Sequence, residues 1–477
     1  MEKEGYWKQL LGKFASETKA NAFSLYDGKT ITEIPYAQFA CDILKSIACL
    51  RKNGIFGQNV AIISPNSYDW VTAFFAVVCS GNVAVMLNPD LPESILESQC
   101  VLADVSVICG AEDVLPGLGS VAAGSEHISF EMLKACDPCS FGDVHDATED
   151  DTVLMMFTSG TTGKSKAVKL TTGNLRYSML SFQEPFTRKG MERVLTPIPY
   201  YHILGFSHVL EALIFRDTVC IGRGVKYLFQ DMPALNPTSL SAVPVILESL
   251  TKILKNTHSP KEREKYIGSD LQTVTFGGAS LKPEVGQFLL DSGLIVYMTY
   301  GMTEMGSIVT GGTLDLKHIR SVGKFCAHIE HRFQDGELLL GGPNVMKGYY
   351  KDPEATREKV IDGWLHTGDL GHCDGDGYYY ITGRKKNLII LSNGENVSPE
   401  ELEAKFAECP AILECMVYSD GKGICADIYT DQKEISAEYI RSYNSGVPMY
   451  RQVYKVTFTE KPLEKTGNGK IKRKGNA

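Results

Sequence analysis

The sequence lacks the features that mark several large classes of protein. Its 57 acidic side chains outnumber its 48 lysines and arginines, and the formal net charge of −9 disfavours nucleic acid as the main partner. The first 14 residues are charged and mixed, without the apolar core of a signal peptide. The most apolar stretch, residues 71–87, is interrupted by Ser80, Gly81 and Asn82. We therefore expect a cytoplasmic protein without a membrane span.

Cysteine is present, but its pattern is not that of a metal site. Of the 13 cysteines, Cys136 and Cys139 form a single C-x-x-C pair. No second pair and no histidine cluster lies at the spacing of a zinc site. Reduced thiols are the better interpretation.

The length and the pattern of apolar residues predict an α/β protein with more than one domain. A chain of 477 residues exceeds one ordinary hydrophobic core. From about residue 30 to residue 330, strand-like and helix-like segments alternate, which favours a parallel architecture. The strand-like segments include residues 59–64, 83–87 and 105–109, and the helix-like segments include residues 68–79 and 92–103.

The character of the chain changes twice towards its C-terminal end. Residues 336–383 carry glycine turns and short apolar strands, at 337–340 and 378–381, which indicate a β-rich layer. A compact remainder of about ninety residues follows Arg384. We expect a large N-terminal domain of stacked α/β sheets with the β-rich layer, residues 1–383, and a small, mobile α+β domain, residues 384–477.

A loop of small and hydroxylated residues follows an apolar run, residues 153–157, that predicts a buried strand ending at Thr158. The loop consists of Thr158, Ser159, Gly160, Thr161, Thr162, Gly163 and Lys164. Backbone N–H groups, hydroxyls and a lysine suit a polyphosphate, although surface loops of this composition also occur without a ligand. The loop is not a Walker A motif, because Thr158 stands where that motif has glycine.

Residues 158–169 resemble the phosphate loop of the adenylate-forming superfamily, whose pattern is T-S-G-T-T-G-x-P-K-G-V. This superfamily includes acyl-CoA synthetases, peptide-synthetase adenylation domains and firefly-type luciferases. Residues 158–163 match in register, whereas Ser165 replaces the proline and Ala167 replaces the last glycine of the pattern. Further motifs follow in the family's order and extend the resemblance over nearly the whole chain.

The resemblance implies a site for ATP and Mg²⁺ beside an acid-binding pocket. The motif Y-G-x-T-E begins here with Tyr300 and Gly301. The resemblance implies that Tyr300 stacks on the adenine, Thr303 contacts the α-phosphate and Glu304 binds Mg²⁺. The segment G-G-A, made of Gly277, Gly278 and Ala279, would lie along the adenine and the acyl pocket. His202, in a segment similar to P-L-x-H-x-x-G, would form a wall or gate of the acid pocket.

The resemblance also assigns roles towards the C-terminal end. In W-x-x-T-G-D, Asp369 would accept from both ribose hydroxyls, and Arg384 would contact ribose and phosphate. Lys386 stands at the family's hinge. Residues 392–401 resemble the loop that admits the pantetheine thiol, with either Gly394 or Asn393 at its key position. Lys470, in G-K-I, would meet the substrate carboxylate and the α-phosphate.

The expected activity is ATP-dependent activation of a carboxylic acid, fatty or aryl, followed by transfer to a thiol. The thiol acceptor is CoA or the phosphopantetheine of a separate carrier protein. Two alternatives stay open, a stand-alone amino-acid adenylating enzyme and a catalytically silent nucleotide-binding protein. Residues 205–208 offer no carboxylate for an α-amino group, which disfavours the amino-acid adenylating enzyme. The presence of Glu304, Asp369 and Lys470 disfavours the catalytically silent protein.

Overall fold

The computed structural model describes residues 5–118, 124–159, 165–181, 191–390, 396–465 and 471–473. The chain forms two compact units, residues 1–330 with 341–365 and residues 331–340 with 366–477. Within the described ranges, no helix has the length and apolar character needed to cross a membrane.

The helices are, in chain order, α1 (Tyr6–Ser16), α2 (Tyr36–Lys52), α3 (Tyr68–Cys79), α4 (Glu93–Leu102), α5 (Phe130–Leu133), α6 (Thr172–Leu180), α7 (Ile203–Phe215), α8 (Leu228–Leu235), α9 (Pro244–Lys255), α10 (Pro260–Ile267), α11 (Pro283–Asp291), α12 (Pro353–Lys359), α13 (Pro399–Phe406) and α14 (Lys433–Ser445). The strands are β1 (Asn21–Tyr26), β2 (Ile31–Pro35), β3 (Asn59–Ile63), β4 (Val83–Leu87), β5 (Val105–Gly110), β6 (Glu126–Ser129), β7 (Thr152–Ser159), β8 (Ser165–Thr171), β9 (Arg193–Leu195), β10 (Thr218–Ile221), β11 (Ser239–Ala242), β12 (Thr273–Phe276), β13 (Ile295–Met302), β14 (Ser307–Thr313), β15 (Lys324–Phe325), β16 (Glu330–Gln334), β17 (Glu337–Gly341), β18 (Gly348–Tyr349), β19 (Val360–Ile361), β20 (Trp364–Cys373), β21 (Tyr379–Arg384), β22 (Ile389–Ile390), β23 (Asn396–Val397), β24 (Glu414–Ser419), β25 (Ile424–Tyr429) and β26 (Val453–Thr459).

The first unit contains two large sheets that are mainly parallel. The nine-stranded sheet has the order β15-β14-β13-β12-β11-β9-β10-β1-β2, and its strands from β13 to β1 are parallel. The seven-stranded sheet has the order β18-β8-β7-β4-β3-β5-β6, with parallel strands from β7 to β6. The alternating pattern of the sequence is therefore confirmed, and β3, β4, β5, α3 and α4 lie at the predicted segments.

The apolar stretch at residues 71–87 forms a buried helix, a turn and a buried strand. Every residue of α3 except Asp69 is buried, as expected for a helix that is apolar on all sides. The hydroxyl of Ser67 caps α3 by accepting a hydrogen bond of 3.1 Å from the backbone N–H of Trp70. Gly81 has a φ of 85°, a conformation that suits glycine, and turns the chain into β4.

The second unit is built around a small α+β core. β24, β25 and β26 form a sheet in that order, with β24 and β25 as an antiparallel hairpin. α13 and α14 cover the sheet with apolar side chains, including the fully buried Phe406 and the nearly buried Ile440. The predicted β-rich strands are present as β17 and β21.

The division between the units falls earlier in the chain than the predicted boundary after Gly383. β21, which contains that predicted boundary, pairs with β20 inside the second unit, where Leu370 is opposite Gly383 and Asp369 is opposite Arg384. A boundary between residues 383 and 384 would divide this hairpin, whose ladder of hydrogen bonds holds the two strands together. The hinge near Lys386 stays a prediction.

Candidate functional site

Two predicted segments lie at neighbouring strand ends in the first unit. β12 and β13 are parallel, with Phe276 opposite Met298, so that their carboxyl ends reach the same edge of the sheet. Gly277 and Gly278 follow β12 directly. A Cβ added to Gly277 would lie 2.5 Å from Oγ1 of Thr299, and Gly278 has a φ of 78°. This close approach explains why the segment needs glycine, and Ala279 beside it is exposed.

The strand that carries Tyr300 is longer than predicted. The sequence predicts a strand at residues 294–298 with the Y-G-x-T-E motif after it, but β13 continues to Met302 and pairs with β14. A bulge lies between Tyr300 and Gly301. A Cβ on Gly301 would lie 1.9 Å from the carbonyl oxygen of Ser307, so only glycine allows β14 to pair there. Tyr300 and Gly301 therefore sit within a strand, at its carboxyl end.

Thr303 and Glu304 lie in a 3₁₀ turn directly after β13, and both are half-buried. The hydroxyl of Tyr349 donates a hydrogen bond of 2.9 Å to Oε1 of Glu304. The backbone oxygen of Glu304 accepts from the N–H of Met346 at 2.8 Å. Burial raises the pKa of Tyr349, and the Glu304 carboxylate raises it further, so the phenol keeps its proton for this bond. An ionised carboxylate has further acceptor sites, which suits a magnesium ligand.

The phosphate loop and Glu304 are connected through Tyr349. β7 and β8 pair antiparallel, with Thr158 opposite Lys166 and Ser159 opposite Ser165. β18 adds Tyr349 opposite Val168 of β8. Nζ of Lys166 lies 5.0 Å from the centre of the Tyr349 ring, within the range of a cation–π contact. The ends of the predicted phosphate loop are thus held beside the predicted magnesium ligand.

The strand before the phosphate loop also extends further than predicted. β7 runs to Ser159 and β8 begins at Ser165, so the loop connects two antiparallel neighbours. Its predicted ligands Gly160, Thr161, Thr162, Gly163 and Lys164 lie outside the described residues, as do Asn393, Gly394 and Lys470.

His202 occupies the position before the first turn of α7. Its N–H donates to the carbonyl of Pro199 at 3.0 Å, and its ring centre is 4.9 Å from that of Tyr201. Two residues later, Leu204 reaches Gly277, where an added Cβ would lie 3.4 Å from Cδ2 of the leucine. The structure therefore brings the first turn of α7 and the G-G-A segment together, while the role of His202 stays a prediction.

The second unit holds Asp369 and Arg384 side by side. They are opposite each other in the β20–β21 hairpin, and Nε of Arg384 is 2.7 Å from Oδ1 of Asp369. The Asp369 side chain is only 2% exposed, whereas that of Arg384 is 47% exposed. The backbone N–H of Asp369 also donates a hydrogen bond of 2.9 Å to Oγ1 of Thr367, which holds the Asp369 backbone in place. The contacts of this pair with ribose and phosphate stay a prediction.

Glu337 orders the turn before Asp369, and no sequence motif points to this residue. Its carboxylate accepts from the N–H of Gly368 at 3.0 Å and from Nζ of Lys385 at 2.9 Å, and it lies 3.4 Å from Nδ1 of His366. Burial opposes ionisation of Glu337, but these hydrogen-bond donors outweigh it and lower its pKa below the usual value.

The segment that contains Lys470 is bounded by a β-bridge. Lys465 and Ile471 pair antiparallel on its two sides, and Nζ of Lys465 lies 2.6 Å from Oε1 of Glu414. Arg473 follows and is paired with Glu403 at 2.7 Å. Lys386, at the predicted hinge, lies in the 3₁₀ turn Lys385–Asn387.

Comparison with known proteins gives a family model that matches more than half of the chain and relatives that cover most of it. The model described as "AMP-binding enzyme" matches residues 13–350. A 2-succinylbenzoate–CoA ligase of Oceanobacillus iheyensis is 30% identical over 441 residues, which cover 86% of this chain and 85% of that protein. A feruloyl-CoA synthase of an Amycolatopsis species is 29% identical, covering 92% of each chain. The solved structure of an O-succinylbenzoate coenzyme A synthetase from Bacillus subtilis, in complex with AMP, has a TM-score of 0.82 at 24% identity and covers 97% of this chain and 96% of that one.

Removing the hydroxyl that holds Glu304 should weaken magnesium-dependent nucleotide binding. We expect Tyr349→Phe to lower the affinity for magnesium–ATP about tenfold, because a hydrogen bond to a charged group is lost. Isothermal titration calorimetry with and without Mg²⁺ measures this. Tyr350→Phe is the matched control, since the Tyr350 hydroxyl binds Asp104 instead. Equal affinities for the two variants would contradict the assigned role.

Glu337 should stabilise the second unit in a pH-dependent manner. Because the pKa of Glu337 is lowered, the ionised carboxylate contributes fully to the free energy of unfolding at pH values above the usual glutamate range. This contribution is lost as the pH falls through the lowered pKa. We expect Glu337→Gln to lower the free energy of unfolding by about 2 kcal/mol at pH 7. In urea unfolding, the difference from the parent protein should shrink towards pH 3. Glu438→Gln, at an exposed position of α14, is the control, and parallel pH profiles for both variants would contradict the prediction.

Proposed function

We propose that this chain, which belongs to the family of AMP-binding enzymes, activates a carboxylic acid with ATP and transfers the acyl group to the thiol of coenzyme A. It is an enzyme of the AMP-forming acid–thiol ligase type. The observation that carries the specific proposal is the contact series from Lys166 through Tyr349 to Glu304, which joins the phosphate-loop strands to a carboxylate suited to Mg²⁺.

The chemistry proceeds in two displacements. A carboxylate oxygen of the acid attacks the α-phosphorus of ATP, the bond to the β,γ-diphosphate breaks, and pyrophosphate leaves. The thiol then attacks the acyl carbon of the adenylate, loses its proton, and AMP leaves with the oxygen that joined it to the acyl group. The first step depends on positioning and on neutralising charge, because the phosphate groups need little covalent help.

The residues divide this work according to their chemistry. Thr158, Lys166 and the loop between β7 and β8 would hold the phosphates, and Glu304, oriented by Tyr349, would hold Mg²⁺, which neutralises phosphate charge when bound. Tyr300 and the G-G-A segment would contact the adenine. Asp369 would bind the ribose hydroxyls with Arg384 beside it. Lys470 would meet the acid carboxylate and the α-phosphate during the first step.

The acid is proposed to be aryl or aliphatic, without an α-amino group. The relatives' names, 2-succinylbenzoate–CoA ligase and feruloyl-CoA synthase, favour an aryl acid and coenzyme A as the acceptor. The buried carboxylate of Glu211 in α7 lies 3.8 Å from Nδ1 of His208 in the same helix. This carboxylate is therefore already occupied by a neighbouring side chain instead of being available to an α-amino group. The amino-acid alternative is therefore not favoured. A carrier-protein thiol is the second acceptor to be tested.

A panel of acids in pyrophosphate–ATP exchange tests the proposed function. The panel contains ferulate, 2-succinylbenzoate, octanoate, 3-phenylpropanoate and phenylalanine. The last two acids differ only in the α-amino group, so their comparison tests whether the enzyme requires this group. We expect exchange with at least one acid that lacks an α-amino group, no exchange with phenylalanine, and thioester formation with coenzyme A rather than with a phosphopantetheinylated carrier protein. Exchange with phenylalanine alone would support the amino-acid alternative, and no acid-dependent exchange at all would contradict the proposal.

The role proposed for Lys470 separates the two half-reactions. We expect Lys470→Ala to lower acyl-adenylate formation at least 100-fold, because a cation between the reacting anions is lost, while thioester formation from supplied acyl-adenylate stays within about twofold of the parent protein. Single-turnover assays of each half-reaction measure this. Lys472→Ala is the matched control, since Lys472 is paired with Glu464. Equal loss in both half-reactions would exclude the assignment.

A further inference from the structure

The C-terminal end of the phosphate loop is held by a side chain that no sequence motif assigns to the site. Gln99 lies in α4, and its Nε2 donates a hydrogen bond of 3.2 Å to Oγ of Ser165, the first residue of β8. Ser165 is opposite Ser159, the last residue of β7, so these two residues bound the loop between the strands. The hydrogen bond therefore joins α4 to the point where the chain leaves the loop.

Gln99 is the polar member of the buried face of α4. The other buried residues of this helix, Leu96 and Cys100, belong to an apolar cluster that includes residues of β3, β4 and β7. Gln99 itself is only 4% exposed. Burying an amide costs free energy unless the amide forms hydrogen bonds, and apolar neighbours cannot supply them. Ser165 gives this amide the partner that the rest of the helix face lacks.

The first two residues of β8 are held on opposite faces of the sheet. Successive side chains of a strand point to opposite faces. Ser165 contacts Gln99 on one face, and Nζ of Lys166 lies 5.0 Å from the centre of the Tyr349 ring on the other. Tyr349 in turn binds Glu304, the proposed magnesium ligand. The contact with Gln99 therefore restrains the face of the strand that the Tyr349 contact does not reach.

Ser165 is also a position at which this chain departs from the phosphate-loop pattern of the adenylate-forming superfamily. The pattern has proline there, and a proline ring fixes φ at about −65°, which limits the conformations of the backbone. Serine lacks this restraint. Its hydroxyl can accept a hydrogen bond, however, and Gln99 donates one.

We propose that Gln99 is a positioning residue for ATP. Its hydrogen bond to Ser165 holds the C-terminal end of the phosphate loop in the conformation that binds phosphates, in place of the missing proline. This role rests on the proposed ligase function, in which the loop holds the phosphates of ATP. Gln99 acts through Ser165, and a loop that is less often in its binding conformation has a correspondingly lower apparent affinity.

Loss of the hydrogen bond should weaken the binding of ATP without unfolding the protein. Gln99→Met keeps a side chain of similar length and removes the amide, including Oε1, which makes no hydrogen bond to a described residue. We expect this variant to bind magnesium–ATP about fivefold more weakly than the parent protein, the effect of one lost hydrogen bond, and to melt close to the parent temperature. Isothermal titration calorimetry and thermal unfolding of the full chain measure these effects.

A double-mutant cycle tests whether Gln99 acts through Ser165. Ser165→Ala should weaken ATP binding by the same factor as Gln99→Met, and the two substitutions together should weaken it no further, because each removes the same bond. Ser165→Pro in the Gln99→Met background should restore the affinity to within about twofold of the parent protein, since proline restrains the backbone without a side-chain partner. Proline would not restore an affinity that was lost through poorer packing of α4.

Gln58→Met is the matched control. Gln58 forms a similar glutamine–serine pair, in which its Oε1 accepts a hydrogen bond of 2.6 Å from Oγ of Ser106. This pair lies at the amino ends of β3 and β5, whereas the phosphate loop follows the carboxyl end of β7, a parallel strand of the same sheet. We therefore expect Gln58→Met to leave the affinity for ATP unchanged.

Four results would overturn the role of Gln99. They are parent-like ATP affinity in Gln99→Met, additive losses in the double variant, no recovery with Ser165→Pro, and equal weakening in Gln58→Met. If Gln99→Met failed to fold, parent-like affinity in Ser165→Ala would decide against the assigned contact. A parent protein that binds ATP in a Gln99-dependent manner but shows no acid-dependent exchange would contradict the ligase function alone, whereas a parent protein that binds no ATP would contradict both.

Discussion

The candidate site depends on the parallel pairing of β12 with β13. Because parallel strands end at the same edge of a sheet, Phe276 and Met298 stand side by side and the two predicted nucleotide-binding segments emerge together. Glycine is required at two points of this arrangement, since Gly277 touches Thr299 and Gly301 touches the backbone of Ser307.

The hydroxyl of Tyr349 links the two sheets of the first unit at that edge. Tyr349 belongs to β18 of the seven-stranded sheet and binds Glu304, which follows β13 of the nine-stranded sheet. The Lys166 ammonium over the Tyr349 ring places a positive charge near the same point. One aromatic side chain therefore contacts both a phosphate-loop strand and the proposed magnesium ligand.

Sequence motifs predicted the family and the fold class, and both are confirmed by the family match over residues 13–350 and by the TM-score of 0.82. The motifs did not reveal Tyr349 or Glu337, because their partners lie 45 and 31–48 residues away and only the folded sheets bring them together. The sequence also placed the ends of β7 and β13 too early. Hydroxylated and glycine residues usually indicate a turn, but here antiparallel partners extend both strands through them.

In the proposed mechanism, a carboxylate oxygen of the acid attacks the α-phosphorus of ATP. The most direct measurement uses the acid with the highest exchange activity, labelled with oxygen-18 in both carboxylate oxygens, together with ATP and coenzyme A. Mass spectrometry of the released AMP should detect one oxygen-18 per molecule, because the attacking oxygen leaves with AMP when the thiol displaces it. Unlabelled AMP, or label in inorganic phosphate instead, would contradict the account.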